Sequence, residues 1–273
     1  MRRPATALVV NLALLGLAAL TLFPLLWMLA ASFMAPGEAS RYPPPMLPRA
    51  PSLANYRLLF SQHGILRQAG NSLLISLLAT ALSLGSNLCA GYAFAKLSFR
   101  GRERIFRLLL GALVVPAQVT MMPLFLMLKE LGLVNSYAGA LVPWLASVFG
   151  IFLVRQYALT IPDELLEAAR IDGAGEGTIF LRVVLPLLRP VIVTLAVLAF
   201  LGSWNDFMWP LIVLTERDVQ TLPVALAALS REHVQDVELM MAGAVITVLP
   251  VLLLFLLLQR YYMQGLLVGS VKG

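Results

Sequence analysis

Charge is scarce in this chain: of 273 residues only 12% are Asp, Glu, Lys or Arg, about half the share that a water-exposed surface carries. Cysteine is scarcer still. Cys89 occurs alone, which excludes an intramolecular disulfide framework and any C-x-x-C zinc or redox pair. Its place inside an apolar run predicts a small buried hydrophobe. The two histidines, His63 and His233, lie in polar connecting segments without a histidine or cysteine at ligand spacing, so no metal site is expected. No glycine-lysine pair occurs anywhere, and the GAGEG stretch lacks the preceding strand and the lysine of a P-loop, so this chain is not expected to hydrolyse ATP. Acidic residues are fewer than basic ones, giving a net charge of +6. The basic residues form no dense stripe, which argues against nucleic acid and for anionic lipid headgroups.

What the chain has in excess is apolar residues, 60% of the total, gathered in runs that a soluble core does not need. Six runs approach the ~20 residues required to cross a ~30 Å hydrocarbon layer: residues 7–33, 71–94, 108–128, 138–154, 191–214 and 240–258. The fold class expected is an all-α integral membrane protein with six transmembrane helices. The first run follows Arg2 and Arg3 but exceeds the 7–15 residues of a signal core, and so reads as a retained helix that Pro24 can kink. With the N-terminus inside, the inner connections hold 13 Lys and Arg against 7 outside. The positive-inside rule then places both termini in the cytoplasm.

Three segments follow from this order: residues 1–66, the first helix with a proline-rich outer connection; 67–258, a five-helix core; and 259–273, a cytoplasmic tail. The outer connection, with Pro36, Pro43, Pro44, Pro45, Pro48 and Pro51, should be irregular up to a short amphipathic segment around Tyr56–Phe60. No internal repeat is visible.

The inner connection 155–190 is the most informative stretch. Pro162 suits a first helical position, Asp163 and Glu164 set negative charge at the positive end of the helix dipole, and Gly173 offers a left-handed cap. One short helix over 162–172 is predicted. A glycine turn at Gly175 and Gly177 then leads to a second over 178–185, stopped by Pro186. Ala168 and Ala169 give the first helix a small-residue face that another surface can approach closely, and Glu167 offers a charge to pair with.

Glu167, Ala168, Ala169 and Gly173, followed by Val183, Leu185 and Pro186, make a pattern that resembles the EAA loop of bacterial ABC-importer permeases, with valine where isoleucine is usual. That resemblance implies the ABC importer type I permease fold. It also implies an ATPase-coupling helix formed by Glu167, Ala168, Ala169, Asp172 and Gly173, with Leu185 and Pro186 closing the loop.

In the fifth run, WNDFMWPL is similar to a tryptophan-asparagine-acid segment of maltose-type sugar permeases, with Asp206 where glutamate is frequent. An intramembrane carboxylate near the bilayer midplane is costly unless it faces water, the bundle interior or a partner. Two roles stay open for Asp206 and Asn205, a translocation-path contact or a structural hydrogen bond, and Trp204 can stack on a sugar or pack. Trp209 reads as packing or an interface anchor. The ending QRYYMQGLLVGSVKG is similar to the tails of the second permease of that family, matching at Gln264, Gly265, Gly269, Lys272 and Gly273, so Gln264, Gly265, Lys272 and Gly273 are implied contacts with the ATPase subunits.

The whole resemblance implies a permease subunit of a sugar importer in a bacterial or archaeal cytoplasmic (inner) membrane. Its partners would be a second homologous permease, two ATP-binding subunits carrying ATP and Mg, and an external sugar-binding protein. The chain itself would bind no cofactor, metal or nucleic acid. A secondary transporter or channel is the alternative, but paired half-repeats with broken midplane helices are not evident. A membrane-embedded enzyme would need a second carboxylate, a histidine cluster or a nucleophile beside Asp206, and none accompanies it in the spans.

Overall fold

The computed structural model describes residues 4–232 and 236–270, and within them every regular element is helical. Arg2, Arg3, His233, Lys272 and Gly273 lie outside the described residues. Three helices are long and apolar enough to cross a membrane unbroken: α1 (Pro4–Ala31), α3 (Ile65–Lys96) and α14 (Val237–Ser270). Pro24 sits inside α1, which continues past it. Along α1, Leu8, Leu12, Leu15 and Leu20 are exposed, as side chains that face lipid are.

The other three spans are broken, a departure from the continuous helices expected. Residues 102–130 form α4 (Arg102–Gly111), a 3₁₀ turn (Ala112–Val114) and α5 (Ala117–Glu130), with a bend of 103° at the break. Val115 and Pro116 are extended there, because proline pushes the residue before it out of helical geometry. The fourth span joins α6 (Tyr137–Leu141) and a 3₁₀ turn (Val142–Trp144) to α7 (Val148–Leu159) at 45°. Ser136 and Ser147 restart the helices by accepting the backbone N–H of Gly139 and Gly150.

The inner connection forms α8 (Asp163–Ile171), α9 (Glu176–Thr178), a π-helical stretch (Ile179–Val184) and α10 (Leu185–Leu187). Pro162 stands one place before the helix, as its cap, and Gly177 lies inside α9. Pro186 does not stop the second helix as expected. It sits in the first turn of α10, after the wider π turn, where its missing N–H costs nothing. The turn of 80° comes at Leu188, before α11 (Arg189–Trp204). The fifth span is interrupted again at residues 205–207 before α12 (Met208–Val213).

Two compact units result, one joining residues up to Arg67 with Leu222–Leu253, the other Gln68–Thr221 with residues from Leu254 onward. In the first, which contains α2 (Ala54–Ser61) and α13 (Leu222–Glu232), side chains replace secondary structure as partners of the proline-rich backbone. Glu38 accepts the N–H groups of Ala35 and Arg49 at 3.1 and 2.9 Å, and Asn55 donates to the carbonyls of Ser32 and Met34. Glu238, fully buried in the first turn of α14, accepts the N–H of Ala39 at 2.6 Å. The expected amphipathic segment is α2.

The second unit holds the inner connection. Cys89 is exposed on α3, contrary to the buried position expected, since the apolar run around it is made for lipid or a partner rather than for this chain's own core. Residues 259–270 continue α14 as helix.

Candidate functional site

The hairpin of α8 to α10 is bound to the ends of α3, α7 and α11 by one apolar core. Leu166 of α8, Ile179 and Val184 of the π-helical stretch, Tyr92 and Ala95 of α3, Val154 and Ala158 of α7, and Val191 and Leu195 of α11 are all buried together. The α8 helix is strongly amphipathic, and Leu166 is its buried anchor.

The helix ends are built as sequence and geometry require. At its C-terminus Gly173 takes φ +81°. Its N–H donates to the carbonyl of Arg170 and that of Ala174 to Ala169, both at 3.0 Å. These paired bonds need a left-handed residue, which glycine supplies at the lowest cost. At the N-terminus the Lys96 ammonium, on a side chain only 4% exposed, donates to the Ile161 carbonyl at 2.5 Å and to Asp163 at 2.6 Å. That ion pair holds the Asp163 carboxyl below its ordinary range.

A second polar contact closes the other end. Tyr92, one turn before Lys96, donates its hydroxyl to Glu176 at 2.9 Å, and the other oxygen of Glu176 accepts from Arg170 Nε at 2.8 Å. Arg170 first and then Tyr92 hold the Glu176 carboxyl below its ordinary value. A third link runs from α7 to α4, where Arg155 lies over the Phe106 ring at 4.2 Å and bonds Glu103 at 3.1 Å.

Outward, α8 presents Glu164, Leu165, Glu167, Ala168 and Ile171, all exposed. Ile171 is 86% exposed, far more than an apolar side chain needs to be unless a partner covers it. Asp172 is exposed beside the Gly173 cap, while Ala169 is partly covered by the core and Leu185 packs against it. Pro186 is exposed.

The residues singled out in the fifth span are less uniform. Trp204 is buried and stacked on Phe200 at 5.9 Å and 11°. Asn205 is exposed and donates to the Leu201 carbonyl, and half-buried Asp206 accepts the N–H of Trp209 at 3.4 Å. Trp209 is buried with its indole N–H on the Gly139 carbonyl at 3.1 Å. A cavity of about 250 Å³ lies between α3, the break before α7, and α11, with Ser83, Asn87, Trp144 and Ser147 among its walls. None of Trp204, Asn205 and Asp206 lines it. Asn87 is buried there, accepting the N–H of Ser147 at 2.9 Å and donating to Ser83 at 3.0 Å. In the tail, the backbone of Gln264 and Gly265 is helical.

Sequence reading missed Tyr92, Lys96 and Glu176 as members of this site. The one available signal was a tyrosine and a lysine four residues apart at the end of an apolar span. Among the described residues no group of three or more His, Cys, Asp or Glu side chains could hold a metal ion.

Comparison with known proteins adds three findings. Residues 87–268 match the family described as the binding-protein-dependent transport system inner membrane component. The chain is 40% identical over 260 residues, 94% of its length and 93% of the relative's, to the arabinooligosaccharides transport system permease protein AraQ of Halalkalibacterium halodurans. It is 34% identical over 265 residues, 97% and 96% of the two lengths, to the lactose transport system permease protein LacG of Rhizobium radiobacter. In fold it matches a chain of a bacterial ABC transporter involved in the import of the acidic polysaccharide alginate, with a TM-score of 0.84 at 23% identity over 96% of this chain and 98% of that one.

Proposed function

Because the chain belongs to the family of binding-protein-dependent transport system inner membrane components, permease subunits of ABC importers whose ATPase is a separate subunit, we propose that it forms one half of an oligosaccharide or disaccharide path. Relatives named for arabinooligosaccharides, for lactose and for melibiose, raffinose and stachyose support that substrate class. The second half is a homologous permease. Two ATP-binding subunits carry the ATP and Mg, and an external sugar-binding protein delivers the substrate, as in the related fold found in complex with a pentasaccharide-bound periplasmic protein. Both termini lie in the cytoplasm, which the excess of inner Lys and Arg supports.

The observation that carries this reading is the α8 hairpin, seated on the ends of α3, α7 and α11 while Glu167, Ala168 and Ile171 face outward. An ATPase subunit docks on that outward face. ATP-driven closure moves the hairpin and the helices packed on it between inward-open and outward-open arrangements. Asn205 and Asp206, where the fifth span breaks, line the path, and the tail from Gln264 and Gly265 to Lys272 and Gly273 contacts the ATPases. No covalent chemistry falls to this chain.

The test is uptake of labelled sugar into vesicles containing the assembled complex. Replacing Glu167 and Gly173 together should abolish ATP-dependent uptake while membrane insertion persists. Normal uptake by the double variant would refute the assignment.

A further inference from the structure

α3 spans 32 residues, ~48 Å at ~1.5 Å per residue, so it outruns the ~30 Å hydrocarbon layer and its last turns stand beside the hairpin. Tyr92 and Lys96 occupy successive turns of one face there. They do not bond the same part of the hairpin. Lys96 holds the start of α8 through Ile161 and Asp163. Tyr92 holds the far side through Glu176, which is itself tied to Arg170 near the end of α8.

Both groups are costly to place where they are. Lys96 carries a charge on a side chain 4% exposed, and removing such a charge from water is repaid only if it is fully partnered. Tyr92 is 5% exposed, packed on Phe180 with ring centroids 5.1 Å apart, and its hydroxyl reaches a carboxylate. Holding α8 in place does not by itself require either polar bond, because Leu166 of α8 already sits in the apolar core shared with the π-helical stretch and with α3, α7 and α11. Apolar contacts alone permit sliding, whereas directional bonds at two ends fix the orientation of one helix to the other.

We propose that Tyr92 and Lys96 are positioning residues that transmit the movement of the coupling helix to α3, gripping it at both ends so that α8 and α3 turn as one lever. This rests on the importer reading above. A push on the exposed face of α8 then rotates α3 rather than slipping past it, and α3 carries Ser83 and Asn87 of the internal cavity on the same rod.

The experiment measures sugar taken up per ATP hydrolysed by the assembled complex in proteoliposomes. Tyr92→Phe, Glu176→Gln and Lys96→Met should each lower that ratio about fivefold or more, the scale of losing one charge-assisted bond. ATP hydrolysis and the yield of assembled complex should stay near the parent's. Lys96→Arg should restore more of the ratio than Lys96→Met, and Tyr92→Phe with Glu176→Gln should be no worse than either alone. A parent-level ratio in both Tyr92→Phe and Lys96→Met would overturn the proposal, as would a loss of uptake that only follows a loss of assembled complex. A parent complex with no ATP-dependent uptake would instead overturn the importer reading, so the two failures are told apart by the parent alone.

Discussion

Gly91 of α3 lies directly against Val154 of α7, so near that a Cβ added to the glycine would come within 2.5 Å of the valine Cβ. Val154 is fully buried at this crossing, in the same core that holds Leu166 of α8. Small residues are what let two membrane helices approach to this distance. Gly91→Ala should therefore cost about 1–3 kcal/mol through overpacking, read as a lower thermal midpoint of the solubilised complex. Val154→Ala in the same chain should recover part of the loss.

Asn87 makes the next prediction. Its carboxamide oxygen is the partner of the Ser147 N–H at the break before α7. Asn87→Leu leaves that half-buried amide without its partner, at a cost of about 1 kcal/mol. The checking measurement is amide exchange at residues 145–150, which should quicken in the variant while α8 stays protected.

The hairpin's ion pairs give a pH dependence with a definite sign. Lys96 lowers the Asp163 carboxyl, and Arg170 with Tyr92 lowers that of Glu176. Groups depressed in the folded chain contribute stability that is complete above the unfolded value and lost as pH falls through the folded one. Protection of residues 161–178 should thus be level from about pH 8 to 5 and decline below about pH 4. Asp163→Asn should flatten most of that decline at the start of α8 and leave the Glu176 side titrating.

Gly173 sits at φ +81° with open space around its missing side chain. Gly173→Ala should then cost about 1 kcal/mol from backbone strain alone, without a clash. ATP-dependent uptake should fall less than with Glu167 replaced as well, because the exposed Glu167 carboxylate is then kept.

For Asp206, the carboxylate accepts the Trp209 N–H across the break in the fifth span. Asp206→Asn keeps an acceptor and should preserve the yield of protein, while Asp206→Ala should lower it. If the charge faces the path, uptake by the asparagine variant falls with yield intact. Parent-level uptake by that variant would leave Asp206 a purely structural cap.

Hydropathy made the three unbroken candidate spans and the three bent helix pairs legible as apolar runs, because the ~20-residue apolar requirement is a property of length alone. It could not show the turns at Pro116 and Leu188, since a window average does not register direction. The motif around Glu167 located the hairpin, and Gly173 announced its cap, because both depend on neighbours within a few positions. Lys96 counted in the sequence only as an inner positive charge. Its partner Asp163 is 67 residues away and Tyr92 is 84 from Glu176, and nothing local marks such pairs. Cys89 failed for a different reason: an apolar run tells that a residue avoids water but not whether protein or lipid surrounds it.

The bond between Glu238 and the Ala39 backbone joins positions 199 residues apart. Ribosomes add ~5–20 residues per second, so the proline-rich segment waits ~10–40 seconds for the helix that completes its bonding. During that interval the newborn N-terminal helix is anchored in lipid while the Ala39 N–H is without its Glu238 partner. A chaperone or insertase that shelters this segment has its window then, and a truncation that removes the last helix would harm the beginning of the protein as much as its end.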